Sequence, residues 1–300
     1  MIQPPKLSDV PKYPIVAGVA ILSIAATIAW WARFDVSPLF ENALIRRGQL
    51  WRLFTSIFLH ADIFHLAFNL YWLWIFGTSV ERVFGHARTA LLIALLALGS
   101  GSVQFALDSG GVGLSGVGYG LFGLLWVLSS RDERFRDALN PRTIGLFVVW
   151  FFLCVFTTVT GAYVVGNFAH GAGAVIGILI GCAIAFPAKR LAAEAAIAAI
   201  VLLGVWGSTF GLGTVNLTGK IAYEEGKTGY DALLANRNEE AIRWFRGATK
   251  HQPKTPEFWF DLGIAYHRQG NIPAAMAAYQ RAHDLDPNNV TYSKALEPAE

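Results

Sequence analysis

Long apolar blocks almost free of charge fill the first 220 residues, and this pattern decides what the chain can fold into. Residues 221–300 hold 11 acids and 9 bases, nearly half of all charges in little more than a quarter of the length. A helix needs about 20 apolar residues to cross the hydrocarbon core of a bilayer. Blocks of that kind fall at 13–33, 63–80, 89–107, 114–130, 143–160 and 163–186. A seventh, 191–212, carries Glu194 near its start and Gly, Ser and Thr near its end. Lipid cannot satisfy backbone N–H and C=O groups, so such blocks must be helical. The expected fold is therefore all-α: a polytopic membrane helix bundle with a six-helix core and a seventh span, then a small helical domain. A composition of 54% hydrophobic residues agrees, and a net charge of +3 is too small to argue for nucleic acid.

Residues 1–12 form a short polar tail with no apolar leader and no cleavage pattern, so the first block is expected to be an uncleaved anchor. Lys and Arg in short loops set orientation. With the N-terminus inside, inner loops hold Lys6, Lys12, Arg82, Arg88, Arg131, Arg134, Arg136, Arg142, Lys189 and Arg190. Outer loops hold Arg33, Arg46, Arg47 and Arg52, all in the long first loop. The N-terminus is thus expected to be cytoplasmic. The tail lies outside if the seventh block spans, and inside if it does not. Cys154 and Cys182 sit within apolar runs and read as small core residues rather than a disulfide pair.

Polar residues within spans are costly and are functional suspects by default. Here they gather at the starts of the second, fourth and sixth blocks: His60, Asp62, His65 and Asn69; Ser115 and Tyr119 among glycines; Asn167 and His170. Alternate blocks run the same way through the bilayer, so topology alone places the three clusters at similar depth. Acyl transfer fits them. A serine hydroxyl needs a base such as histidine to take its proton, and the tetrahedral intermediate needs donors aimed at its oxyanion. His65 and Asn69, four apart, share a helical face and can supply donors together. Asp62 precedes its helix and reads as an N-cap rather than a third catalytic group.

In order and spacing these residues resemble the rhomboid family of intramembrane serine proteases. Gly113-Leu114-Ser115-Gly116 is similar to the family's G-x-S-G nucleophile motif, and Ala169-His170, with Gly173 and Gly177, is similar to its A-H-x-x-G-x-x-x-G motif. His60, His65 and Asn69 resemble its H-x4-H-x3-N run, Trp51-Arg52 its first-loop W-R pair, and Glu81 the acid of its E-x-x-x-G ending. The resemblance covers roughly 13–186. It implies Ser115 as nucleophile, His170 as general base and acid, and His65 and Asn69 at the oxyanion. It also implies that Gly113, Gly116, Tyr119, Asn167 and His60 support the site, Tyr119 and Asn167 by packing and orienting His170. Trp51, Arg52, Glu81, Gly173 and Gly177 read as structural, the glycines letting two helices approach for a Ser–His hydrogen bond. The implied substrates are transmembrane proteins, reached laterally past the fifth helix, with no metal, cofactor or ATP. The short N-terminus and compact loops suit a bacterial inner membrane, with the site toward the outer face.

Other readings account for less. Val117-Gly118-Tyr119-Gly120 copies part of a potassium filter, but Gly116 stands where the filter has Thr, and a helix-length apolar run follows. There is no H-E-x-x-H metalloprotease motif, and no span holds a convincing acidic pair. The non-enzymatic alternative is a rhomboid-like protein that binds membrane clients or serves quality control. The expected division is 13–190 for the protease-like domain, 191–220 for the seventh helix and linker, and 221–300 for the tail. Within the tail a period of 34 aligns Gly229 with Gly263, Ala241 with Ala275, Phe245 with Tyr279 and Ala248 with Ala282. With Trp259, Leu262 and Tyr266, the two copies (222–255 and 256–289) resemble tetratricopeptide repeats, which implies a protein or peptide partner. Two copies are few for independent stability, so the tail is expected to cap itself with 290–300, to dimerise or to lean on the membrane domain.

Overall fold

The computed structural model describes residues 6–297; the start of the 1–12 tail and the last three residues of the 221–300 region lie outside the described residues. Seven helices form the apolar part: α1 (Pro14–Trp31), α2 (Ile63–Phe84), α3 (His86–Leu107), α4 (Ser115–Leu128), α5 (Pro141–Val159), α6 (Asn167–Ala185) and α7 (Arg190–Thr209). All but α4 are long and apolar enough to cross a membrane, and the chain is a multi-pass membrane protein. Sequence chemistry sets several helix starts. Pro14 and Pro141 occupy first-turn positions, where a missing N–H costs nothing. Asp62 Oδ1 accepts from His65 N at 2.8 Å, and Asn140 Oδ1 accepts from Thr143 N at 3.0 Å.

α4 is shorter than the 114–130 block and the most enclosed, with Val117, Leu121 and Leu124 shielded on every side. It runs against α6 at backbone distance. A methyl on Gly173 would collide with the Gly116 carbonyl, and one on Gly177 with the Gly120 carbonyl. Small residues at both positions thus give van der Waals contact that larger side chains would prevent. α7 meets α3 in the same manner: Gly204 faces Ser102, and Ser208 Oγ donates to the Ser102 carbonyl at 2.7 Å. α2 widens into one π-turn at Leu73–Gly77, where Gly77 meets Val16 of α1. Glu81 then takes the N–H groups of Ile15 and Val16, each at 3.0 Å, which satisfies donors that the start of α1 would leave bare.

The tail folds as two helix pairs, α8 (Ile221–Leu234) with α9 (Asn238–His251) and α10 (Pro256–Arg268) with α11 (Ile272–Leu285). Fully buried Ala241, Ala248, Ala275 and Ala282 let the helices of each pair meet. A last turn, α12 (Val290–Lys294), lays Tyr292 on Phe260 with ring centroids 5.0 Å apart and covers the open end. The tail also leans on the membrane domain through the first loop, at the bundle end where α4 and α6 begin. It therefore does two of the three things expected of so short an array.

Candidate active site

Capping by Asp62 fixes where α2 begins, and so sets His65 in its first turn and Asn69 one turn later on the same face. Asn69 is buried, and its Nδ2 donates to the His65 carbonyl at 3.1 Å. The chain then reaches α4 through a loop that ends in Gly113, at φ +107° in the left-handed region where glycine is favoured. A methyl there would lie 2.6 Å from His65 Nε2 and 3.5 Å from Asn69 Nδ2, so both side chains close on the backbone two residues before Ser115.

His60 supports this arrangement from beneath. It is fully buried, with its ring 4.9 Å from that of His65, and its Nε2 accepts from Leu114 N at 3.4 Å. Burial, helped by the neighbouring His65, pushes the His60 imidazole down to about 3, so it is neutral and free to accept from the backbone. Gly116 faces Ser100, where a Cβ would come within 2.5 Å of the hydroxyl.

Ser115 opens α4, half-buried, among first-turn N–H groups that a helix start leaves unpaired. His170 lies in the first turn of α6, buried, and stacks on Tyr119 at 4.6 Å with planes 28° apart. Tyr119 is held in turn by its hydroxyl, which donates to the Phe147 carbonyl of α5 at 3.2 Å. Among the described residues, neither ring nitrogen of His170 makes a hydrogen bond. Asn167 does not reach that ring; its amide donates to Thr158 Oγ1 at 2.9 Å and ties α6 to α5. Ser115, His170, His65 and Asn69 line one cavity of about 1070 Å³, apolar in most of its wall.

Among the other polar residues that line this cavity are Gln104 and Glu41, and sequence reasoning passed over both. Gln104 closes α3: its Oε1 accepts from Ala169 N at 3.1 Å, and its Nε2 donates to Asp108 Oδ2 at 3.1 Å. As a lone amide at the end of an apolar run, it carried the signal that intramembrane polar residues give. Glu41 accepts from Gly111 N at 2.8 Å, and burial pushes its carboxyl well above the usual range. It stands in a polar loop, where nothing in the sequence distinguishes it. Trp51 is exposed, while the buried Arg52 donates to the Ser37 and Phe40 carbonyls at 2.6 and 3.0 Å and ties the first loop together.

Residues 47–186 match the Rhomboid domain family model, and residues 227–290 match the Tetratricopeptide repeat model. The chain is 31% identical over 153 residues to Rhomboid protease GlpG of Salmonella paratyphi A, covering 51% of this chain and 52% of that protein. Rhomboid protease GlpG of Serratia proteamaculans is 36% identical over 134 residues, covering 44% and 47%. That of Pectobacterium atrosepticum is 33% identical over 174 residues, covering 56% and 61%. The chain thus spans about half the length of the first two and three-fifths of the third.

Proposed function

We propose that the chain, which matches a rhomboid domain model followed by a tetratricopeptide repeat model, is an intramembrane serine endopeptidase cutting transmembrane segments of other proteins. The observation that supports this most is the convergence of Ser115, His170, His65 and Asn69 on one cavity from the starts of three helices. Ser115 Oγ attacks the peptide carbonyl while His170 takes its proton, and His170 later returns that proton to the leaving amine. Negative charge on the former carbonyl oxygen is met by His65, by the Asn69 amide and by the first-turn N–H groups of α4. Apo geometry often leaves catalytic hydrogen bonds unmade until substrate arrives. The unbonded ring nitrogens of His170 fit that behaviour.

A substrate helix must unwind to present its peptide bond in a cavity of this shape, so segments with small or helix-breaking residues are the expected targets. They reach the cavity from the bilayer between α2 and α5, where contact is mainly aromatic: Phe68 stacks on Trp150 at 5.2 Å and Trp72 meets Phe147 at 4.8 Å. With the N-terminus cytoplasmic in a bacterial inner membrane, the cavity opens toward the outer face and α7 brings the repeat domain to that face. There the repeat domain binds a protein or peptide.

The test is cleavage of a single-span substrate by protein purified into liposomes, comparing wild type, Ser115→Ala and His170→Ala, with and without chelator. Cleavage by wild type alone, indifferent to chelator, is expected. Equal cleavage by Ser115→Ala would refute the assignment. A variant that cuts nothing yet keeps its effect on client proteins would favour client binding.

A further inference from the structure

The loop Asp108–Gly113, which delivers the chain to Ser115, is held from two sides by different parts of the molecule. On its inner side Glu41 takes the Gly111 N–H at 2.8 Å and Gln104 Nε2 donates to the Ser109 carbonyl at 3.3 Å. Its outer side is held by the segment that opens the repeat domain. Lys220 Nζ lies 2.9 Å from Asp108 Oδ1, and Asn216 donates to the Asp108 carbonyl. Leu217 N donates to the Leu107 carbonyl at 2.8 Å.

A second set of contacts fastens α8 to the first loop. Glu225, whose side chain is only 2% exposed, is paired with Arg46 and lies 2.8 Å from His251 Nδ1. Arg47 stands over the Trp244 ring at 5.0 Å. Beneath these polar contacts Ile45, Leu53, Phe105, Leu212 and Ile221 form one buried cluster, drawn from the first loop, α3, the linker and α8. An apolar core beneath a charged rim is how a lasting interface is built. A buried carboxylate such as Glu225 is tolerated only because it is paired.

We infer that the repeat domain is the outer brace of the nucleophile loop, and that Lys220 and Glu225 are positioning residues for the reaction. The inference rests on the reading of Ser115 as nucleophile. Gln104 continues the brace across the site: it bonds Asp108 on one side and the Ala169 N–H, next to His170, on the other. A shift of the brace is therefore felt at both ends of the dyad. A protein or peptide engaging the repeats acts on turnover through this contact.

The test uses the full-length protein. Arg46→Glu/Lys220→Glu sets like charges against Glu225 and Asp108, and Ile221→Ala thins the shared core. Hydrogen exchange is read on a Ser115→Ala background, where no activity is needed, and kinetics are read with Ser115 intact. Amides of 108–113 are expected to exchange about tenfold faster, while those within α4 and within the repeat helices keep their protection and so report both domains folded. Turnover is expected to fall about three- to tenfold with KM changed less than about twofold, the sign of misplaced catalytic groups rather than lost binding. Lys220→Arg should leave both readings as in wild type. Unchanged exchange in the loop, or faster exchange with kcat unchanged or raised, overturns the brace. Faster exchange in a protein that never cleaves would instead mean that the protease reading has failed.

Discussion

The imidazole of His170 lies on the phenol ring of Tyr119, centroids 4.6 Å apart and planes 28° from parallel. Tyr119 stands one helical turn after Ser115, so α4 carries both the proposed nucleophile and the plate on which the proposed base rests. Ring stacking is worth only about 1 kcal/mol, but it limits where the imidazole can swing. Tyr119→Phe keeps the plate and loses only the bond to the Phe147 carbonyl, so activity should stay within about threefold of wild type. Tyr119→Ala should lower kcat about 10- to 100-fold with little change in KM. Steady-state cleavage in liposomes separates the two.

The distance between α4 and α6 rests on two absent methyl groups. Gly177→Ala would press its methyl on the Gly120 carbonyl, a backbone atom that cannot rotate away. Overpacking of this kind should cost about 1–3 kcal/mol and abolish cleavage by parting Ser115 from His170. Gly171→Ala is the matched control, since its nearest neighbour beyond the helix is Phe151 at 4.0 Å. Thermal unfolding in detergent, run beside the cleavage assay, checks both.

Much of this arrangement was legible in the sequence, because a bilayer makes polar residues in apolar runs conspicuous. His65, Asn69, Ser115 and His170 stood out for that reason, and Gly173 and Gly177 by their spacing. Loop residues gave no such contrast. Glu41 is one polar residue among several until the fold buries it against Gly111. Asn167, which the resemblance makes a residue that orients His170, gives its amide to Thr158 Oγ1 of α5, a partner on another helix that local sequence does not reveal. One signal went unread. Arg46 and Arg47 stand side by side in the long first loop, and both meet the repeat domain, at Glu225 and Trp244.

Removal of an oxyanion donor should slow chemistry without loosening the fold. Asn69→Ala deletes an amide whose only hydrogen-bond partner among the described residues is the carbonyl one turn back, so little stability is at stake. A fall of about 10²- to 10³-fold in kcat is expected, with KM nearly constant. Gly113→Ala should be as damaging for a different reason, since its methyl would come 2.6 Å from His65 Nε2 on backbone at φ +107°. Unfolding temperatures measured with the kinetics would expose a structural cause; a large drop in Asn69→Ala would argue against the oxyanion role.

The repeat domain should have a pH dependence of its own, set by Asp261 on α10. Burial, with some help from Glu257 one turn earlier, raises its carboxyl from an ordinary 3.8 to about 6. Between those values the folded domain holds a proton that the unfolded chain has released. The stabilising contribution is therefore complete below pH 3.8 and is lost as pH rises through 6. At neutral pH the ionised carboxylate is a burden of about 1 kcal/mol once its partial exposure is allowed for. Asp261→Asn keeps the shape and removes the charge. Its tail should resist pulse proteolysis better than wild type at pH 7.5 and equally well at pH 4. A wild-type tail equally resistant at both pH values would show that Asp261 is ionised as easily folded as unfolded.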